Sequence, residues 1–347
     1  MSEITIKILS NDNFEIWDDL VQRAPQATVF HKLEWLKIIE KYTSSKLLLF
    51  TGSLGNQIVA AIPFFFYKKK IFPVFSSPIG SAMIQNLGPI IPDYNIIKQD
   101  KREYYFREFQ KELDIYINHH FNPDSIEIIT SPNLLDARPY IWNKYIITPK
   151  YNYIKNIKNL DEVWNGFKKQ LRKNIESAKK SGVTIHEGSF NDFELIIQQL
   201  SQRLDKQELN FPTSKEYLID VYQNFYPDNL RIFIAQYHGE SITGIIVLTF
   251  KNRLSIWVGA TQTGLKGVYP VDLLQWEIIK WGNKNGYEFC EILGANIPTI
   301  SYFKSRYNFD LDIYYHVHKT HLLLRILTQL MTYKIFINKL IKNYKLY

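Results

Sequence analysis

One order of apolar segments runs through this chain twice, and any fold must house both copies. In the first copy, Phe14, Trp17, Leu20 and Val21 fall at helical spacing within 11–24, and Trp35, Ile38 and Ile39 predict a second helix. Leu47–Thr51 reads as a strand, the run from Gly52 to Asn56 as a turn, Ile58–Tyr67 as a long strand and Ile71–Phe75 as its hairpin partner. A helix over 101–120 and a short buried strand at Ser125–Ile129 close the copy. The second copy has helices over 190–204 and 215–225 and strands at Ile232–Tyr237, Ile242–Phe250 and Leu254–Val258. A helix over 271–285 follows, with Pro270 in its first turn and Gly286 at its C-cap, then a strand at Phe289–Leu293. The copies align without gaps across the hairpin: Gly55 with Gly239, Ala60 with Gly244, Phe66 with Phe250. Beyond it, SIEII corresponds to EFCEIL. Identity between the copies is low, so the duplication rests on order and spacing. The reading is a mixed α/β (α+β) chain built from one repeated unit.

A length of 347 residues accommodates two such units. We place them at 1–150 and 151–317, followed by a basic amphipathic helical segment at 318–347. Cys290 is the single cysteine, so an internal disulfide and a cysteine-based zinc site are excluded. It lies in an apolar strand and reads as a buried structural thiol. The N-terminal stretch lacks a cationic run followed by an apolar one, and no run reaches the roughly 18 apolar residues of a membrane span. The expected location is cytoplasmic. Lys and Arg number 42 against 34 Asp and Glu. That balance admits an anionic partner (tRNA, a nucleotide, a lipid surface) and selects none of them.

The positive charge is concentrated in two places. A helix predicted over 160–178 carries Leu160, Val163, Trp164, Phe167, Leu171, Ile175 and Ala178 on one face, with Gly182 as its C-cap. Lys168, Lys169, Arg172, Lys173, Lys179 and Lys180 occupy the other faces, either as a solvated surface or as one wall of a channel for an anionic ligand. The segment 318–347 has Lys319, Arg325, Lys334, Lys339, Lys342 and Lys345, and no acid follows Asp312. We expect packing against the first unit up to about 330, and contact with an anionic membrane surface on the cytoplasmic side beyond it.

Several chemistries are absent as motifs: there is no P-loop, no GxGxxG after a strand, no HExxH and no GxSxG. His316 and His318 alternate on an apparent strand and share a face, as a solvent-facing pair or a metal pair. We expect no metal and no tightly bound cofactor.

What remains is an ordered set of segments: WNGFKKQLRKNIESAKKSGVTI, RIFIAQYHGESITGIIVL, IWVGATQ, YPVDLLQWEIIKWGNKNGYEFCEILGA and SYFKSRYNF. Their order resembles the FemABX family of the GCN5-related N-acyltransferase (GNAT) superfamily over roughly 158–310. FHKLEWLKII and NLGPIIPD stand where the family's first unit has comparable segments. The resemblance implies two tandem GNAT-like domains, each with a mixed, largely antiparallel central sheet flanked by helices. It implies an N-acyltransferase that passes an aminoacyl group from aminoacyl-tRNA, or an acyl group from acyl-CoA, to an amine of a peptidoglycan or polysaccharide precursor. A non-catalytic GNAT-like scaffold that binds a glycan or a partner enzyme is the reading from another class.

Such a transfer needs two substrates side by side, removal of a proton from an ammonium and stabilisation of an oxyanion; it needs no protein nucleophile. Backbone N–H groups at Val258-Gly259-Ala260 are the expected oxyanion donors, with Gly259 permitting close approach. By resemblance, Lys304 of the FK-x-x-[YF] segment steadies the oxyanion or the donor's 3′ end and Phe303 contacts substrate; the other reading is a surface lysine beside a buried Phe303. Arg203 is a phosphate ligand by resemblance or a helix C-terminal charge. Trp257 and Tyr269 line the acceptor groove or pack in the core. Asp93 holds the acceptor's ammonium or simply serves a turn, and Arg172 faces the channel or water. The chain departs from the family picture in two respects. The glycine-rich acyl-CoA loop is absent in strict form, with Gly264 and Gly267 only near its places, and no long helical hairpin interrupts the second unit.

Overall fold

The computed structural model describes residues 3–10, 13–259 and 264–320. The first half contains β1 (Thr5–Ile8), α1 (Phe14–Arg23), α2 (Leu33–Tyr42), β2 (Lys46–Leu54), β3 (Gln57–Lys69), β4 (Phe72–Ser77), α3 (Gln99–His120), β5 (Ser125–Ile129), α4 (Arg138–Trp142) and β6 (Ile146–Asn156). Two linking helices follow, α5 (Leu160–Gly166) and α6 (Lys169–Lys180). The second half repeats the first element for element: β7 (Thr184–Glu187), α7 (Phe190–Asp205), α8 (Lys215–Phe225), β8 (Leu230–Tyr237), β9 (Glu240–Phe250), β10 (Arg253–Val258), α9 (Pro270–Lys284), β11 (Phe289–Ile292), α10 (Pro298–Lys304) and β12 (Asp310–Thr320).

The twelve strands form one sheet in the order β1-β2-β3-β4-β5-β12-β6-β11-β10-β9-β8-β7. Pairing is antiparallel except for β4 with β5 and β10 with β11, which are parallel. The last strand of each half crosses to the other. β6 pairs with β11 of the second half, β12 pairs with β5 of the first, and the two exchanged strands pair with each other from Asp310 opposite Ile154 to His318 opposite Ile146. The aligned glycines Gly55 and Gly239 both occupy hairpin turns at positive φ, 59° and 82°.

Apolar alternation along these strands feeds three buried clusters. α3 covers the first half through Phe106, Phe109 and Leu113, and α6 with α9 covers the second through Leu171, Ile175, Leu274 and Ile278. The third cluster belongs to both halves: Trp17, Trp35 and Leu36 of α1 and α2 pack with Ile196, Tyr217 and Phe225 of α7 and α8. At its centre the Trp35 indole donates to the Tyr217 hydroxyl at 3.0 Å, and that hydroxyl donates to the Ala82 carbonyl at 2.7 Å.

The helix predicted over 160–178 is broken. Phe167 and Lys168 are extended, with ψ of 143° and 139°. The Phe167 ring is buried edge-on against Trp276 and Tyr307, each 5.4 Å away, and the Lys168 N–H donates to the Arg306 carbonyl. Burial of Phe167 and this long-range bond override the local periodicity. Cys290 is buried, as expected. Lys319 lies on β12 and pairs with Asp114 at 3.1 Å. The rest of the basic segment lies outside the described residues. Among the described residues no helix is long and apolar enough to cross a membrane.

His31 ties the loops that face the second half. It is fully buried; its Nδ1 accepts from the Thr28 N–H at 3.0 Å and its Nε2 faces the Gly88 carbonyl at 3.3 Å. Gly88 has φ of 72°, and a Cβ there would stand 2.9 Å from the Thr130 Cα, so only glycine fits. Burial lowers the His31 pKa to about 4. The unfolded chain takes up this proton near pH 6.5, so stability should fall as pH drops from about 6.5 to 4, by about 3 kcal/mol in all. Denaturant midpoints at pH 7 and pH 4.5 check this. The acid loss should shrink in His31→Gln.

Candidate active site

β10 and β11 run parallel in register from Arg253 opposite Phe289 to Ile256 opposite Ile292. Past Ile256 the pairing of β10 with β9 shifts, and Leu293 leaves the sheet. A groove of about 850 Å³ opens at these strand ends. Its walls come from the C-terminal part of α7, the first turns of α9, and α10.

The groove gathers Lys304, Phe303, Arg203, Trp257 and Gly259. Lys304 closes α10, a helix that starts at Pro298. Its Nζ donates to the Gly294 carbonyl at 2.9 Å and to the Leu293 carbonyl. Burial lowers its pKa to about 8, and no carboxylate pairs with it among the described residues. It is therefore a cation held by backbone dipoles, free to meet developing negative charge. Arg203 is exposed on the opposite wall, where partial desolvation lowers its pKa, and it too has no carboxylate partner among the described residues. Gln275 is 5% exposed and presents a side-chain oxygen that no donor reaches. A Cβ on Gly259 would meet no protein atom, so the space beside that backbone is open to a ligand. Ala260 lies outside the described residues.

Trp257 has a structural role as well: its indole donates to the Met83 carbonyl at 2.8 Å and its ring meets Trp35 edge-on. Tyr269 caps α9 and lines a neighbouring cavity of about 430 Å³ that shares Leu265, Val271 and Phe303 with the groove. Asp93 and Arg172 lie elsewhere. Asp93 is locked to Arg23 at 2.5 Å, and that bond holds its carboxyl below its ordinary pKa. Arg172 donates to the Trp164 and Asn165 carbonyls and lines a shallow basic surface with Lys169, Lys173 and Lys180.

Sequence reading missed what holds Lys304 in place. Asp272, in the first turn of α9 and 4% exposed, accepts a two-pronged pair from Arg306 at 2.9 and 3.2 Å. Asn174 of α6 donates to the same carboxylate at 2.8 Å. Arg306 also lies 4.2 Å from the Phe303 ring centroid. This buried network fixes the end of α10 to α6 and α9. The Arg within FKSRY and the Asp within YPVD were visible, but nothing in one sequence joined them. Glu291 and Asn152 were missed as well; the Asn152 amide donates to Glu291 Oε1 at 3.0 Å and its oxygen accepts from the Gly294 N–H.

Comparison with known proteins fits this geometry. Residues 165–305 match the acetyltransferase (GNAT) domain family. No curated protein sequence matches the chain. Among solved structures, FemX superposes with a TM-score of 0.65 at 12% identity, covering 90% of this chain and 96% of that one. The C-terminal domain of a putative lysylphosphatidylglycerol synthetase from Agrobacterium fabrum gives 0.54 at 11% identity, covering 88% and 92%. A tandem GNAT protein from the clavulanic acid biosynthesis pathway gives 0.53 at 9% identity, covering 92% and 98%. The fold is that of tandem GNAT-like units, and residues 165–305 are similar to the acetyltransferase domain of that superfamily.

Proposed function

We propose that this GNAT-fold N-acyltransferase takes an aminoacyl group from aminoacyl-tRNA and passes it to an amine of a cell-envelope precursor. The observation that carries the reading is the convergence of Lys304 and Arg203 in one groove at the open ends of β10 and β11. Arg203 suits a donor phosphate, and Lys304 suits the carbonyl oxygen as it gains charge. The acceptor amine attacks the ester carbonyl, and its proton passes through solvent or a neighbouring base to the ribose oxygen, which departs as the hydroxyl. No covalent enzyme intermediate is needed. The envelope assignment draws support from a similarly folded synthetase named for an aminoacylated phospholipid. The cationic surface of α6 and the expected anionic-membrane contact of the C-terminal segment belong to the same reading.

Binding of charged tRNA and of acetyl-CoA, measured in parallel across a salt series, tests it. Saturable tRNA binding that weakens steeply with salt is expected, through release of counterions from the phosphate backbone. Binding of acetyl-CoA without that slope would move the donor to acyl-CoA and the acceptor to an amino sugar. Binding of neither would favour a scaffold.

A further inference from the structure

A second cavity, of about 540 Å³, opens on the other side of β10 and β11. Strand alternation turns Arg253, Ser255, Phe289 and Glu291 toward it, while Ile256 and Ile292 face the groove. Loops of the first half, carrying Thr28, Asn86 and Asn133, cover it, and Asp312 reaches it from β12.

The polar groups here are unbalanced. Glu291 is 4% exposed and accepts from Asn152 at 3.0 Å and Ser255 at 2.9 Å, which leaves acceptor capacity on both oxygens. Asp312 Oδ2 is buried with no hydrogen bond; the nearest cation, Arg253 Nη1, stands at 3.6 Å. Asn86 is 1% exposed and lines the cavity with a side-chain oxygen that has no donor. Of the cations at the rim, Lys251 is engaged elsewhere, and Arg253 is divided between its ion pair with Asp312 and a bond to Asn133. Lys251 Nζ donates to the Val21 and Ala24 carbonyls at 2.8 and 2.6 Å, and Arg253 donates to Asn133 at 2.8 Å. Burial lifts the Asp312 carboxyl above its ordinary pKa. An orphaned buried acceptor is costly, so this site is short of N–H donors.

The first half has the same register but fills it differently: Ser76 is opposite Glu127 as Ser255 is opposite Glu291, yet the Ser76 hydroxyl donates to the Pro78 carbonyl. There the exchanged strand β12 supplies His316, whose Nε2 lies 3.2 Å from Glu127 Oε1. In the second half the exchanged strand β6 supplies only the Asn152 amide.

We propose that this cavity binds a primary ammonium group, with Glu291, Asp312 and Asn86 accepting its N–H bonds and Phe30, Phe250 and Phe289 flanking its carbon portion. The proposal concerns binding alone and stands whether or not the amine is later acylated. Titration of the full chain with benzylamine, and with benzyl alcohol as the uncharged isostere, tests it. Benzylamine should bind at least tenfold more tightly than the alcohol. Asp312→Asn should weaken it at least tenfold, and Asn86→Asp, which adds a carboxylate without removing the buried pair, should tighten it. Arg203→Ala, in the groove on the other side, should leave it unchanged. Equal affinity for amine and alcohol, no saturable amine binding, or loss in Arg203→Ala but not in Asp312→Asn would overturn it.

Discussion

Lys304→Ala is expected to lower the turnover of acyl transfer roughly a hundredfold or more, the usual loss when one preorganised oxyanion donor is removed. The Michaelis constant for the acceptor should move far less, because the ammonium matters most as charge develops. The pH profile separates this from a loss of packing. Lys304 ionises at about pH 8, so activity that depends on the cation should fall as pH rises through 8. Lys304→Arg, which keeps a permanent charge, should lose that alkaline limb even if its rate is lower. Stability runs the other way. The unfolded lysine holds its proton to about pH 10.4, so the folded protein gains stability between pH 8 and that value. Lys251 is lowered to about 8 as well, so both lysines contribute to that gain, while only Lys304 lies in the groove. Turnover measured across pH 6–10 in the wild type and both variants would falsify the assignment if the limb near pH 8 persists without the lysine.

Trp35→Ala should remove about 4 kcal/mol of stability, in the range of buried aromatic truncations, with no change in the slope of denaturant unfolding. Trp35 is fully buried, packs at a tilt against Phe225 and edge-on against Trp257 of the other half, and donates to Tyr217. The loss should therefore fall on both halves together. Near-ultraviolet and far-ultraviolet signals should follow one transition in wild type and variant alike. Separate transitions would show that the shared cluster does not couple the halves.

Much of this architecture could be read from local pattern. The helix at 215–225 and the strand at Ser125–Ile129 have the bounds expected of them, because their burial follows a clean periodicity. β6 was not foreseen. Its sequence, IITPKYNYIKN, is polar and contains Pro149, and it is a strand because β11 and β12 lie on either side of it. The break at Phe167 escaped for a similar reason, since its cause is a bond to Arg306 far along the chain. The groove residues Lys304, Phe303, Arg203, Trp257 and Gly259 were legible through their residue types and the resemblance. The Asp272–Arg306 pair and the Glu291–Asn152 pair were not, because each joins elements that only the fold brings together.

The exchange of β6 and β12 also sets an order on biosynthesis. A ribosome releases β5 and β6 long before β12, so a growing chain carries the open edges of both strands through the whole synthesis of the second half. Such edges are templates for unwanted pairing. Every nascent chain stopped short of Asp310 is thus left with a gap in the middle of its sheet, and the amino-terminal half, although made first, is completed last.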